Sequence, residues 1–305
     1  MAWELLLAQA LNGLQFGVLL FLLGAGLTLV LGIMSFVNLA HASFYMLGAY
    51  IGATVFMYTG SFIVAGLAAV LGGLIIGIVV ERTTLIAFYH RDHLDQVLAT
   101  IGLLLIFNEA VRMIWGAQPI YMRPPAALTD TVNILGMAYP SYRFLVIVVG
   151  LAVAGALYFI IHHTRIGMLI RAGASNANMV SILGVNIRLL NTLIFGFGAA
   201  LAGLAGLMAG PILSVQPGMG DLVLIAVLVV IVIGGIGSIR GAFFGALIVG
   251  VVDTVGRTYL PLLLRQVADR ATADAAGPAL ASMLMYLFMV IVLVVRPQGL
   301  FPARV

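Results

Sequence analysis

The polar residues that could do chemistry in this chain are few, and several lie inside long apolar stretches. Glu109 and Arg112 are three residues apart, and Asp253 and Arg257 are four apart. On a helix, either spacing places the acid and the base on one face, where each can neutralise the other. Unpaired charges are costly in an apolar environment, so we expect an ion pair within each helix. Direct contact with a zwitterionic solute is the alternative.

Asn38, His41 and Ser43 form a second polar group, and no charged residue stands near them in the sequence. They could line a polar translocation path, or they could satisfy backbone groups where a helix is interrupted. His41 and Ser43 alone do not make a hydrolase, because the chain offers no set of nucleophile, base and oxyanion donors. We therefore expect no catalytic residues.

Composition excludes several further kinds of site. All 14 basic residues are arginine, so the chain has no lysine for a Walker A loop and cannot bind ATP in this way. Cysteine is absent, which excludes disulfides and thiolate metal sites. The mixed cluster at 90–95 and the histidine pair at 162–163 are interpreted as solvated charge, so we expect no metal site. The net charge of +4 does not indicate nucleic acid binding.

The elements that must position these residues are membrane-spanning helices. Apolar residues make up 63% of the chain and charged residues 8%, against about a quarter charged in soluble domains. We predict an all-α, polytopic membrane protein forming one domain over residues 1–305. Apolar stretches long enough to cross a bilayer run over 10–34, 38–58, 61–80, 96–115, 143–162, 190–210, 221–239, 242–260 and 280–295. The second and the eighth contain several glycines and could be broken or re-entrant, which gives eight or nine spans.

The distribution of arginine predicts the orientation in the membrane, because loops on the cytoplasmic side carry more basic residues. One side collects the larger set, namely Arg82, Arg91, Arg165, Arg171, Arg188, Arg296 and Arg304, and Arg240 belongs to it if the seventh span crosses the membrane fully. The opposite loops hold Arg123, Arg143, Arg265 and Arg270. The loop at 163–189 and the C-terminus are therefore expected in the cytoplasm, and the count of nine spans would place the N-terminus outside.

Small residues recur at every fourth position in one span, at Gly198, Ala202, Gly206 and Gly210. On a helix they share one face and let a neighbouring backbone approach closely. Similar pairs occur at 73 and 77 and at 241 and 245. All these glycines are expected to serve helix packing.

Two other glycine segments, 32–35 and 235–238, resemble each other and suggest a faint internal repeat. Interrupted helices at corresponding places in two halves are typical of binding sites in transporters. The candidate residues for a translocation path are therefore Asn38, His41, Ser43, Tyr45, Gly234, Gly235 and Gly237.

The loop at 163–189 contains a short amphipathic helix. Met179, Ile182, Leu183 and Ile187 recur at helical spacing and form one apolar stripe. Ser175 or Asn176 can cap its start, and Gly184 stands where a helix end tolerates a positive φ. Such a helix fits a groove on a soluble partner, or it rests among lipid headgroups.

Several motifs identify a family. Gly167-x-x-x-Arg171-Ala172, then Leu183-Gly184-Val185-Asn186 and the small-residue helix at 199–206, resemble the ATPase-contacting segment of ABC importer permeases. Segments 38–50, 234–241 and 296–301 resemble signatures of the branched-chain amino acid permeases of the LivH type. In this chain Asn176 stands where family members often carry an acid, and Val180 where they often carry alanine.

The resemblance implies a subunit of an ATP-driven importer in a bacterial inner membrane. Its partners would be a second related permease of the LivM type, two cytoplasmic ATPase subunits that bind ATP and Mg²⁺, and a periplasmic solute-binding protein. The solute would be a branched-chain or related amino acid, and this chain would bind no cofactor itself. The residues implied for coupling are Arg165, Gly167, Arg171, Ala172, Ser175, Asn176, Met179, Ile182, Leu183 and Gly184. The alternative is a secondary transporter or facilitator that works alone, but such a protein has no need of a cytoplasmic docking helix.

Overall fold

The computed structural model describes residues 2–266 and 269–302, so Arg304 lies outside the described residues. Ten α-helices account for most of this part of the chain. They are α1 (Ala2–Met34), α2 (His41–Thr59), α3 (Phe62–Thr83), α4 (His93–Trp115), α5 (Ser141–His163), α6 (Arg165–Ile182), α7 (Ile187–Leu213), α8 (Met219–Gly234), α9 (Ile239–Leu264) and α10 (Arg270–Val295). Two short 3₁₀ helices, at Leu85–Phe88 and Ala126–Leu128, lie in the connections.

Each predicted span corresponds to one of these helices, and α6 is the helix of the 163–189 loop. Seven helices are long and apolar enough to cross a membrane, namely α1, α3, α4, α5, α7, α9 and α10. Helix α8 is apolar but has only 16 residues, and α2 is not among the seven. The protein is therefore a polytopic helical membrane protein. Helices α1 and α10 begin earlier than predicted, because hydropathy marks the apolar stretch while the helix continues into polar residues.

The expectation of broken helices in the second and eighth spans is wrong. Helices α2 and α9 are each continuous, and the interruptions lie between helices, at Ser35 (φ 49°) after α1 and at 235–238 between α8 and α9. Glycines of α2 and α9 serve close packing instead. A Cβ on Gly48 would collide with the backbone of Gly203, and one on Gly245 would stand 2.7 Å from the Val230 carbonyl oxygen.

The core is built around α7, which contacts α1, α2 and α3. In the most apolar stretches of α7 and α1, 83% and 78% of residues are buried, against 11% in α4 and 17% in α10. Helices α1 and α7 therefore lie at the centre of the bundle, and α4 and α10 lie at its edge.

The small-residue face of α7 is where its neighbours approach, as predicted. A Cβ on Gly198 would lie 3.0 Å from the Gly26 carbonyl oxygen in α1. A Cβ on Gly206 would lie 3.0 Å from the Ala49 nitrogen in α2, and Ala202 is fully buried. These distances leave no room for larger side chains, so helix approach fixes the residue type.

A small β-hairpin, which the hydropathy pattern did not predict, precedes α5. Strand β1 (Thr131–Ile134) pairs antiparallel with β2 (Met137–Pro140), in the register Thr131 to Pro140. Gly136 adopts φ 85° in the turn, and its amide donates to the Asn133 side chain at 2.8 Å. Strands of four residues are too short to stand out from an irregular loop in the sequence.

Candidate coupling segment and translocation residues

The first half of α6 is tied to the end of α5. The Thr164 hydroxyl caps α6 by accepting from the Gly167 amide at 3.1 Å. Gly167 is buried, and a Cβ there would collide with the carbonyl oxygens of Ile160 and Ile161. The Arg171 guanidinium donates to the Ile161 carbonyl. Gly167 and Arg171 thus fix α6 against α5.

Two of the residues that the resemblance implies for coupling are arginines of α6, Arg165 and Arg171, and their surroundings in the structure differ. Arg171 donates to the Ile161 carbonyl of α5 and is also exposed, so its role at a partner surface stays a prediction. Arg165, in the first turn of α6, is exposed. Ala172 is half-buried.

A kink at Asn176 divides α6 into two helices. Asn176 has extended backbone angles (φ −156°, ψ 91°), and its side-chain oxygen accepts from the Met179 amide at 2.9 Å. This is the geometry of an N-cap residue. Of the two candidates, Asn176 is therefore the cap. Ser175, the residue before it, is exposed at the end of the first half.

The second half of α6 ends as predicted at Gly184. Gly184 adopts φ 90°, its amide donates to the Ser181 carbonyl at 3.0 Å, and the Val185 amide donates to the Val180 carbonyl at 3.3 Å. These two bonds form a Schellman motif. The Asn186 side chain then accepts from the third residue of α7 at 3.0 Å. The short helix is fixed at both ends and leads directly into the central helix of the bundle.

The second half of α6 presents an apolar stripe away from the bundle. Met179, Ile182 and Leu183 are 59%, 79% and 79% exposed, whereas Val180 on the other side is buried. We call the helix 176–184 with this stripe the coupling segment. The inclusion of Ile187 in the stripe is wrong, because Ile187 packs into a small apolar cluster formed by α1, α5 and α7.

The polar group near the start of α2 is buried in the core. Asn38 and His41 are 1% exposed and Ser43 is 3% exposed. Within the described part of the chain, none of their side-chain nitrogens and oxygens makes a hydrogen bond of ordinary geometry, although the His41 ring lies beside the Leu23 backbone. Among the described residues, the side chains of Asn38 and Ser43 thus bond to no backbone group at the interruption between α1 and α2. Tyr45 is buried beside them.

The glycines assigned to the same path lie elsewhere. Gly234 packs against the backbone of Gly241, and a Cβ on Gly235 would stand 2.9 Å from the Gln298 carbonyl oxygen. Gly237 meets Gly32, whose Cβ would lie 2.8 Å from the Gly237 Cα. The two similar segments, 32–35 and 235–238, are thus packed together, but they are not brought into one cavity with Asn38, His41 and Ser43.

Residues 298–302 complete the end of α8, a contact that sequence reasoning missed. The Leu300 amide donates to the Ile233 carbonyl at 2.8 Å, and the Phe301 amide donates to the Gly234 carbonyl at 2.9 Å. Segments 234–241 and 296–301 each resemble a family signature in the sequence. Their contact explains why both carry glycine, since Gly299 (φ 83°) packs on Gly235.

Both predicted ion pairs are confirmed. Arg112 contacts Glu109 at 3.0 Å, with both side chains exposed at the edge helix α4. Arg257 contacts Asp253 at 2.7 Å, and the Asp253 carboxylate is buried. Arg257 also donates to the Ser282 hydroxyl of α10 at 3.1 Å. The second pair links α9 to α10.

A buried carboxylate that sequence reasoning missed lies at the end of α3. Glu81 is 1% exposed and accepts from the Tyr89 hydroxyl and, at 2.8 Å, from the Thr192 hydroxyl of α7. Arg82 donates to Thr192 at 3.1 Å. Burial, and then the bond to Glu81, raise the pKa of Tyr89. No sequence signal connects these residues, because Glu81 and Thr192 are far apart along the chain.

A large cleft of about 1360 Å³ opens between α1, α5 and α9. The first half of α6 and residues 300–302 also line it. Arg171, Ser175 and Gly237 line it, but Asn38, His41 and Ser43 do not.

The sequence matches a family model described as the permease component of the branched-chain amino acid transport system, over residues 9–293. The high-affinity branched-chain amino acid transport system permease protein BraD of Pseudomonas aeruginosa is 29% identical over 308 residues, covering 96% of this chain and 95% of that protein. The corresponding LivH proteins of Salmonella typhimurium and Escherichia coli are 28% and 27% identical, covering 96% of this chain and 94% of each protein. These similarities extend over nearly the whole of each protein.

Proposed function

We propose that this chain, which belongs to the family of branched-chain amino acid transport permease components, is one permease subunit of an ATP-driven ABC importer. Membership of the family rests on the family model, which matches residues 9–293. The chain forms half of the path for a branched-chain or related amino acid. It uses no ATP itself, and ATP and Mg²⁺ bind to partner ATPase subunits. Fold alone would not carry this proposal, because function depends on sites rather than on folds.

The observation that carries the proposal is the exposed apolar stripe of the coupling segment. Three large apolar side chains stand outside the bundle on a helix that is fixed at both ends. Exposed apolar groups arranged at helical spacing are typical of a helix that docks in a groove of another protein. A fixed helix also transmits motion, because the Asn186 cap joins it without a flexible linker to α7.

The remaining partners and the location follow from this role. The coupling segment must face the cytoplasm, where ATP is, and we propose the bacterial inner membrane with residues 296–302 on the same side. A second permease, related in sequence, would complete the path, and two ATPase subunits would each engage one permease. A periplasmic binding protein would deliver the solute.

A secondary transporter working alone remains the alternative function, favoured only by Asn38, His41 and Ser43, whose buried side chains make no hydrogen bond of ordinary geometry among the described residues. Polar groups inside a membrane bundle are typical of solute paths in many transporter classes. The alternative predicts flux through this chain alone, driven by a gradient. It offers no role for the exposed stripe.

The deciding experiment replaces Leu183 with aspartate in the assembled importer, reconstituted in vesicles with its binding protein and solute. Burying a carboxylate in an apolar interface is strongly unfavourable, so Leu183→Asp should abolish solute-stimulated ATP hydrolysis and uptake while the permease still inserts and folds. Ser181→Asp is the matched control. At about 100° per residue, Ser181 lies on the opposite side of the helix from the stripe, and it is also exposed.

Normal transport by Leu183→Asp would contradict the proposal, as would transport by the chain in vesicles without ATPase subunits. Equal loss in Leu183→Asp and Ser181→Asp would show that added charge, and not the stripe, is responsible.

A further inference from the structure

The cleft between α1, α5 and α9 is amphipathic along its length. Each wall is apolar at one end and polar at the other. On α1 and the residue after it the lining runs from Phe21 to Ser35, on α5 from Leu151 to His162, and over one turn of α9 from Phe244 to Arg240. The three polar ends meet beside α6. The α5 wall alone spans about 16 Å at 1.5 Å per residue.

The polar end of the cleft is cationic. Arg240 lies over the Tyr158 ring at 5.5 Å and contacts the His162 ring nitrogen at 3.3 Å. Arg171 lines the same end. None of the described lining residues is acidic, and neither arginine forms a salt bridge within the described ranges. Two guanidinium groups there lack an anionic partner among the described residues.

A further polar group lies between the two ends. Thr28 is fully buried on the α1 wall, seven residues from both Phe21 and Ser35, and its hydroxyl has no hydrogen-bond partner among the described residues. Buried hydroxyls are normally bonded, so an unpaired one on a cleft wall points to a ligand.

We propose that this cleft binds a phospholipid with an anionic headgroup. The phosphate contacts Arg240 and Arg171, the acyl chains lie along Phe21, Leu151 and Phe244, and the Thr28 hydroxyl donates to an ester carbonyl between them. The apolar walls distinguish this occupant from free phosphate. Because none of the described lining residues is acidic, an amino acid fits less well, since its ammonium group would lack a partner among them. This site does not depend on the importer function.

The first test measures headgroup selectivity. The full-length permease is purified in mild detergent, and phosphatidylglycerol or phosphatidylcholine is titrated while bound lipid is counted by native mass spectrometry. We expect preferential retention of phosphatidylglycerol, reduced about tenfold in Arg240→Gln, since a hydrogen bond to a charged group contributes on that scale. Arg188→Gln is the control, because Arg188 is exposed but lies outside the cleft. Equal retention of both lipids by the wild-type protein, or an equal loss in both variants, overturns the proposal.

The second test places a probe in the apolar half and does not depend on any arginine. Because the chain has no cysteine, Ala154→Cys introduces a single labelling site in the cleft. A fluorophore there should be quenched more by phosphatidylglycerol with brominated acyl chains than by the same fraction of brominated phosphatidylcholine. Leu67→Cys on the exposed face of α3 should show no such difference.

Equal quenching by both lipids at Ala154→Cys overturns the proposal. So does cross-linking of that cysteine to the second permease in the assembled complex without lipid-selective quenching, since the cleft would then be a protein interface.

Discussion

The contact between α2 and α7 at Gly206 allows a quantitative prediction for helix packing. A methyl group there would stand 2.8 Å from the Tyr45 carbonyl carbon and 3.0 Å from the Ala49 nitrogen. Ordinary contacts between such atoms lie at about 3.5–4.0 Å. The Tyr45 carbonyl oxygen would be closer still, so the two helices would have to separate by more than about 1 Å, and the obstacle is backbone, which cannot rotate away.

Overpacking of this kind lowers the free energy of unfolding by about 1–3 kcal/mol. Alanine is intrinsically the better helix former by about 1 kcal/mol, so Gly206→Ala should lose up to about 2 kcal/mol net. Gly206→Leu has no nearby space for its larger side chain and should greatly reduce the yield of folded permease and of assembled complex.

The assay is a titration of purified protein with SDS in mixed micelles, followed by circular dichroism, together with the yield of monodisperse protein. Gly102 in the edge helix α4 is the matched control, because a Cβ there would meet nothing within 4 Å. Gly102→Ala should be neutral or stabilising. If Gly206→Leu assembles and unfolds like the wild-type protein, close approach of α2 and α7 does not set the residue type at this position.

Three further predictions concern hydrogen bonds and ion pairs. Asp253→Ala or Arg257→Ala alone should destabilise the protein towards the lower end of about 3–5 kcal/mol, because the arginine is half-exposed. In thermal unfolding the double variant should be destabilised less than either single variant, and additive losses would contradict this pairing. Asn176→Ala should cost about 1 kcal/mol of local helix stability and weaken ATPase stimulation, while Asn176→Asp, which keeps a capping oxygen, should retain it. Glu81→Ala should lower the free energy of unfolding by about 1–3 kcal/mol by leaving the Tyr89 hydroxyl without its acceptor, and Glu81→Gln should lower it less.

Features that depend on neighbours within about five residues could be predicted from the sequence. The cap at Asn176, the positive φ of Gly184 and the pair Asp253–Arg257 are all of this kind. Each is fixed by helix geometry, which brings residues three and four apart together whatever surrounds them.

Features that depend on tertiary contacts could not be predicted in this way. The bond between Glu81 and Thr192 joins helices far apart in the sequence, and the cleft arises from three helices at once. Glycine was also ambiguous, because the same residue allows a close approach, as at Gly48, or a break, as at Gly235. Ile187 has helical spacing with the exposed stripe but turns inward because α7 begins there.

The bonds from Leu300 and Phe301 to the end of α8 have a consequence for the order of biosynthesis. The carbonyl groups of Ile233 and Gly234 leave the ribosome well before the residues that will bond to them. Until α9 and α10 have been made and inserted, those two groups must be solvated by water or lipid headgroups. The hydrogen bonds between residues 298–302 and the end of α8 can therefore form only after the last span has been inserted, and the packing of α8 on α9 is completed at that stage.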